Sequence, residues 1–178
     1  MKFFINFLTF FRLFSGPIIF ALLLLLSSPG LALILFILAS FSDYLDGYLA
    51  RKYSLESTLG EIMDPIADKI LALFLLITLI LYFNSTFIAL TAAVILSRDF
   101  WVNALRDYNS RNYQADVTKV TFLAKLKTAS QFFTFGSFLL GIFLGNTLII
   151  FISNILLLSS TILSLKTALD YTKATFQK

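Results

Sequence analysis

The sequence predicts an all-α integral membrane protein, with six transmembrane helices and a polar, carboxylate-lined cavity at the cytoplasmic side. Three observations predict it. The chain is 58% hydrophobic and only 13% charged, with mean hydropathy +0.88, whereas a soluble domain carries about 25% charged residues. Three blocks carry no charge at all, Leu13 to Ser42, Ile70 to Ser97 and Thr128 to Leu165, of 30, 28 and 38 residues. Six of the ten acidic residues sit in one stretch, SDYLDGYLARKYSLESTLGEIMDPIADK, residues 42–69.

One membrane span needs ~20 apolar residues. Each uncharged block has a turn signal near its middle: SSPG at 27–30, NST at 84–86 and GNT at 145–147. Each block therefore reads as a helical hairpin, with helices over 7–27, 31–51, 60–83, 87–108, 119–144 and 147–172. Lys2 precedes an apolar run, but no small-residue cleavage site follows and Arg12 interrupts it, so the first helix is expected to be retained. The first two blocks are shorter than the ~40 residues that two spans require. Their helices must continue into the charged flanks. Arg12, Asp43, Asp46, Asp64, Asp68 and Arg98 are thereby placed at helix ends inside the bilayer boundary, where a charge faces a cavity or a partner. In this arrangement all 14 Lys/Arg and all ten Asp/Glu fall on the side of the two termini. The positive-inside rule makes that side cytoplasmic. The expected location is a bacterial inner membrane. Residues 1–178 read as a single domain, without linker, low-complexity segment or repeat. The Asn84-Ser85-Thr86 sequon reads as a turn, too close to the membrane for glycosylation.

The chain has no cysteine and no histidine, which excludes disulfides, thiolate zinc sites and imidazole bases. Any chemistry falls to carboxylates, Lys/Arg, hydroxyls and backbone. On a helix, residues three or four apart share a face. Asp43, Asp46, Gly47 and Ala50 make one such stripe, and Gly60, Asp64 and Asp68 another. A short connection makes the two helices antiparallel neighbours, so the stripes can face each other. Carboxylates gathered in one pocket repel unless cations or protons intervene. Oxygen-only donors favour hard ions, Mg²⁺, Mn²⁺ or Ca²⁺, and two such ions form a clamp for phosphoryl transfer. Arg51 suits phosphate recognition. Spacing alone leaves open a plainer alternative, interfacial carboxylates paired with Arg51, Lys52 and Lys69. Lys52 and Lys69 themselves read as snorkelling or topology residues.

The pattern D-x-x-D-G-x-x-A-R-x8-G-x-x-x-D-x-x-x-D runs through Asp43, Asp46, Gly47, Ala50, Arg51, Gly60, Asp64 and Asp68. All eight fixed positions, within 26 residues, resemble the signature of the CDP-alcohol phosphatidyltransferases. The resemblance implies a six-helix membrane fold, usually a homodimer, with two divalent ions (Mg²⁺ or Mn²⁺) and a cytidine-diphosphate lipid donor. It assigns the metals to Asp43, Asp46, Asp64 and Asp68, and makes Asp68 the base that takes the acceptor's proton. Gly47, Ala50, Arg51 and Gly60 would line the donor site, with Asn6 and Thr9 from the N-terminal element.

Other segments are similar to the phosphatidylglycerophosphate synthase branch of that family. They are Asn6-Phe7-Leu8-Thr9-Phe10-Phe11-Arg12, with Ile5 where that branch has proline, and Ser97-Arg98-Asp99 through Leu105-Arg106. Val117-Thr118-Lys119 and Leu123-Ala124-Lys125-Leu126-Lys127-Thr128 complete the set, so the likeness covers roughly residues 5–135. It implies CDP-diacylglycerol as donor and sn-glycerol 3-phosphate as acceptor. An anionic acceptor needs cationic partners, and Arg98, Arg106, Lys125 and Lys127 are the candidates. The two lysines are two residues apart and cannot share one face. The positive-inside rule alone is the alternative explanation for all four. Rival acceptors are phosphatidylglycerol, serine and inositol phosphate. A rival of another class is a divalent-cation channel or transporter. That would need polar groups continuing across the membrane, and the three opposite turns offer only Ser, Asn and Thr. Expected partners are the two substrates, membrane lipids and a second copy of the chain, with no nucleic acid. The last helix carries no motif.

Overall fold

The computed structural model of the chain describes residues 2–53, 58–112 and 121–177. Within them, the side chains of residues 2–6, 43–44, 46–51, 53, 58–59 and 61 lie outside the described set. Among the described residues the secondary structure is helical: α1 (Lys2–Leu24), α2 (Pro29–Tyr53), α3 (Thr58–Phe83), α4 (Thr86–Arg111), α5 (Phe122–Leu144) and α6 (Thr147–Phe176).

Three tight turns make the hairpins, each by a local device. After α1, Ser27 takes a left-handed conformation (φ 48). The Ser28 amide then reaches back to the Leu22 carbonyl at 2.8 Å, and Pro29 opens α2 where its missing N–H costs nothing. That closure ends α1 at Leu24, short of the expected 27. Between α3 and α4, Ser85 caps by accepting from the Ile88 amide at 3.4 Å. Between α5 and α6, Gly145 sits at φ 61 with no side chain to strain. Asn146 then accepts from the Leu148 and Ile149 amides at 2.9 and 3.2 Å.

The main helix contacts run in a closed ring, α1–α3–α4–α6–α5–α2 and back to α1. All six helices send side chains into one apolar core, including Ile19, Phe36, Leu75, Ile95, Phe135 and Leu157. That core fills the end of the ring nearest the three turns. The outer face is apolar as well, with Ile34, Ile37, Leu38, Leu148, Phe151 and Ile155 exposed. Small hydroxyls take inner positions, and Ser137 of α5 and Ser153 of α6 meet at 2.7 Å. Apolar outside with small polar contacts inside is how helices pack in lipid. Among the described residues, four stretches are long and apolar enough to cross a membrane, Phe7–Leu24, Ile62–Phe83, Thr86–Arg111 and Thr147–Phe176, with a shorter apolar run at Pro29–Ser42.

α6 extends to Phe176, past the expected 172. Its last turns are tied to α4: Trp101 Nε1 donates to Thr172 Oγ1 at 2.9 Å, and Asn109 Nδ2 to Thr175 Oγ1 at 2.9 Å.

Candidate active site

The end of the ring opposite the apolar core is polar. On α3, Asp64 and Asp68 stand one turn apart. Arg12 of α1, whose side chain is 0% exposed, spans them: Nη2 lies 3.1 Å from Asp64 Oδ1 and Nη1 3.1 Å from Asp68 Oδ1. Thr9, one turn before Arg12, donates to Asp64 Oδ1 at 2.8 Å. A buried guanidinium is costly unless its charge is met, and two neighbouring carboxylates repel unless a cation sits with them. The arrangement answers both costs. Gly16 is what lets α1 come close enough. A Cβ there would lie 3.1 Å from Phe74 Cβ and 3.2 Å from Leu71 Cα. Gly60 is buried one turn before Asp64.

α2 is helical through residues 43–51, the segment that carries Asp43, Asp46, Gly47 and Ala50. Their side chains, with those of Arg51 and Asn6, lie outside the described residues. Lys52 is exposed. Among the described residues, no three acidic side chains come together. The donor set at Asp64 and Asp68 is oxygen only and sits at a helix end with partial exposure, 40% and 31%. Its chemistry fits a hard divalent cation completed by further oxygen ligands.

Beside Asp68 opens a cavity of about 390 Å³ between α3, α4 and α5. Asp68 and Lys69 line it from α3, Arg98, Asp99, Asn103 and Arg106 from α4, and Lys127, Thr128 and Gln131 from α5, with Leu73, Ile95 and Phe132 closing it toward the core. Asp99 organises the cationic wall. Its Oδ1 receives Arg98 Nη1 at 2.9 Å and Lys127 Nζ at 2.9 Å. The Arg98 Nε also donates to the Ser164 carbonyl at 2.9 Å and its Nη2 to Thr167 Oγ1 at 2.6 Å. The Arg106 guanidinium lies over the Tyr171 ring, 5.5 Å from its centre. Four cations thus face two carboxylates around one space, an arrangement suited to an anionic ligand.

The sequence profile of the CDP-alcohol phosphatidyltransferases matches residues 4–165. The chain belongs to the CDP-alcohol phosphatidyltransferase family. It is similar to proteins named CDP-diacylglycerol–glycerol-3-phosphate 3-phosphatidyltransferase from several bacteria. That of Wigglesworthia glossinidia brevipalpis is 35% identical over 167 residues, covering 92% of this chain and 90% of the relative. That of Rickettsia bellii is 35% identical over 173 residues, 95% and 93% of the two chains. That of Haemophilus influenzae is 32% identical over 135 residues, 75% and 73%. Membership makes this chain a phosphatidyltransferase.

Within this CDP-alcohol phosphatidyltransferase, the structure brings Thr9, Asp64 and Asp68 together around Arg12, and Arg98, Arg106 and Lys127 around the cavity. Lys125 is exposed and does not line it. Two residues along a helix turn about 200°, so only one of the two lysines reaches the wall. Lys69, read from sequence as a topology residue, instead stands on the cavity wall. It follows Asp68 by one position, so the ~100° step carries it off the aspartate stripe and toward α4. Ser164, Thr167 and Tyr171 went unread as well. Their only signal is a three- and four-residue spacing on a helix without a motif.

Proposed function

We propose that the chain transfers a phosphatidyl group from CDP-diacylglycerol to sn-glycerol 3-phosphate, giving phosphatidylglycerophosphate and CMP. The observation that carries this reading is one cavity lined by Asp68 together with Arg98, Arg106 and Lys127, a carboxylate beside a cationic wall. The names of the relatives support the same substrates.

In this mechanism the acceptor's phosphate docks on Arg98 and Arg106, with Lys127 adding charge from α5. That leaves its primary hydroxyl, at the end of the glycerol opposite the phosphate, directed toward α3. The hydroxyl oxygen forms a bond to the donor's β-phosphorus, the bond from that phosphorus to the oxygen bridging to CMP breaks, and the hydroxyl proton passes to Asp68. Gly47, Ala50, Arg51, Gly60, Asn6 and Thr9 line the donor's cytidine-diphosphate end. Arg12 holds Asp64 and Asp68 in register. Two Mg²⁺ or Mn²⁺ ions, held by Asp43, Asp46, Asp64 and Asp68, would neutralise the diphosphate and stabilise the charge developing on the leaving CMP. A free aspartate has a pKa of ~3.9 and is a weak base for an alcohol. It would suffice where such cations also acidify the acceptor's hydroxyl, or where crowding by the neighbouring carboxylates raises its pKa.

The same reading takes residues 1–178 as one domain with six spans, both termini and the cavity facing the cytoplasm, in a bacterial inner membrane. Its support is the charge-free turns and the gathering of Arg12, Asp64, Asp68, Arg98, Asp99, Arg106 and Lys127 at one end of the helices. The acyl chains enter from the bilayer and the soluble acceptor from the cytoplasm. A homodimer is carried by the family resemblance alone.

The test is purified protein in detergent with both substrates, CMP release being measured and the lipid product identified by mass. Asp68→Asn is expected to abolish turnover without loss of folded protein. Turnover by that variant would remove Asp68 from its role.

A further inference from the structure

We infer that α6 is the positioning element of the cationic wall, and that Thr167 and Tyr171 set the affinity for the acceptor without touching it. The inference rests on the reading of Arg98 and Arg106 as the phosphate-receiving pair. No residue of α6 is among those lining the cavity, yet α6 holds two of its cations.

At Arg98 the hold is a closed set of hydrogen bonds. The Ser164 carbonyl accepts from Arg98 Nε at 2.9 Å and from the Thr167 hydroxyl at 2.8 Å. With its proton spent on that carbonyl, the Thr167 oxygen turns its lone pairs to Arg98 Nη2, 2.6 Å away. Asp99 takes Nη1 at 2.9 Å. The plane of the guanidinium is thereby set from two sides. Guanidinium recognition of phosphate is planar and forked, so the plane decides how many hydrogen bonds the ligand receives.

Arg106 lies eight residues beyond Arg98, about two turns, so the two arginines share a face of α4. Tyr171 lies four residues beyond Thr167 and is buried, with its ring under Arg106 at 5.5 Å. The α6 face thus runs in step with the α4 face it supports. A helix serving only to cross the bilayer has no need of a buried hydroxyl and a buried phenol in register with two arginines.

The experiment compares wild type with Thr167→Val, Thr167→Ser, Tyr171→Leu and Tyr171→Phe. Initial rates of CMP release are measured while sn-glycerol 3-phosphate and CDP-diacylglycerol are varied separately, with melting temperature recorded for each protein. Thr167→Val is expected to raise the KM for glycerol 3-phosphate on the order of tenfold, the scale of one hydrogen bond to a charged group. The KM for CDP-diacylglycerol stays unchanged, and Thr167→Ser restores the acceptor value. Tyr171→Leu moves the same constant in the same direction, and Tyr171→Phe, which keeps the ring and loses the hydroxyl that bonds Arg106, moves it less. An unchanged acceptor KM, an equal rise in both constants, or a fall in kcat alone would overturn the proposal. If Thr167→Val does not fold, the Tyr171 pair decides by the same criterion. If Thr167→Val and Tyr171→Leu both fail to fold, the role is structural and the proposal falls. Failure of the underlying reading shows differently, as no glycerol 3-phosphate-dependent CMP release by wild type.

Discussion

Arg12 is the residue on which the carboxylate end turns. It is fully buried and bridges two aspartates from a neighbouring helix. Arg12→Met would leave Asp64 and Asp68 one turn apart with that guanidinium gone. Breaking a buried pair costs ~3–5 kcal/mol, and the 40% and 31% exposure of the two aspartates puts this case at the low end. The expected outcome is a clear drop in melting temperature together with loss of turnover. Arg12→Lys keeps the charge but not the fork and is expected to fall between. The two lysines of α5 make a second comparison. Lys127→Ala, which removes the partner 2.9 Å from Asp99, is expected to raise the KM for glycerol 3-phosphate about tenfold. Lys125→Ala, on the exposed side, is expected to leave it unchanged. Sequence spacing already required that only one of the pair face the cavity. It could not tell which, because that depends on the rotation of α5 against α4, set by packing rather than by pattern.

Among elements, the α1–α3 contact is the most demanding. Gly16→Val would drive a branched side chain against the Leu71 backbone, 3.2 Å from where a Cβ would stand. Overpacking of this kind costs about 1–3 kcal/mol. Because Thr9 and Arg12 are carried on the same helix, activity is expected to fall along with melting temperature, and the two are checked on one purified variant. The hairpins were legible in sequence because their turns rest on local chemistry: Pro29 at a helix start, Gly145 in a left-handed conformation and Asn146 as a cap. The aspartate stripes of α3 and the α2 helix were legible for the same reason, since helical spacing is local. Lys69 and the role of α6 were not. Both depend on which helices are neighbours in the ring, and no short-range pattern encodes that α6 packs on α4.

At the scale of the whole molecule, the ring of six helices separates an apolar core near the turns from a charged cavity near the termini. This polarity is what the proposed topology requires. The chain has no cysteine, so single introduced cysteines report sidedness without background. Leu26→Cys, exposed at the first turn, is expected to react in intact cells with a membrane-impermeant thiol reagent. Lys173→Cys is expected to react only after the membrane is opened. The reverse pattern would invert the topology. Removal of divalent ions by a chelator is expected to stop CMP release, and added Mg²⁺ or Mn²⁺ to restore it, since the oxygen-only donor set suits hard ions. The most direct test of the central claim is CMP release from CDP-diacylglycerol by wild-type protein in four parallel reactions. These contain glycerol 3-phosphate, serine, inositol phosphate or phosphatidylglycerol. Release with glycerol 3-phosphate alone is the expected result, and release that is absent with it but present with another acceptor would contradict the assignment of the cationic wall.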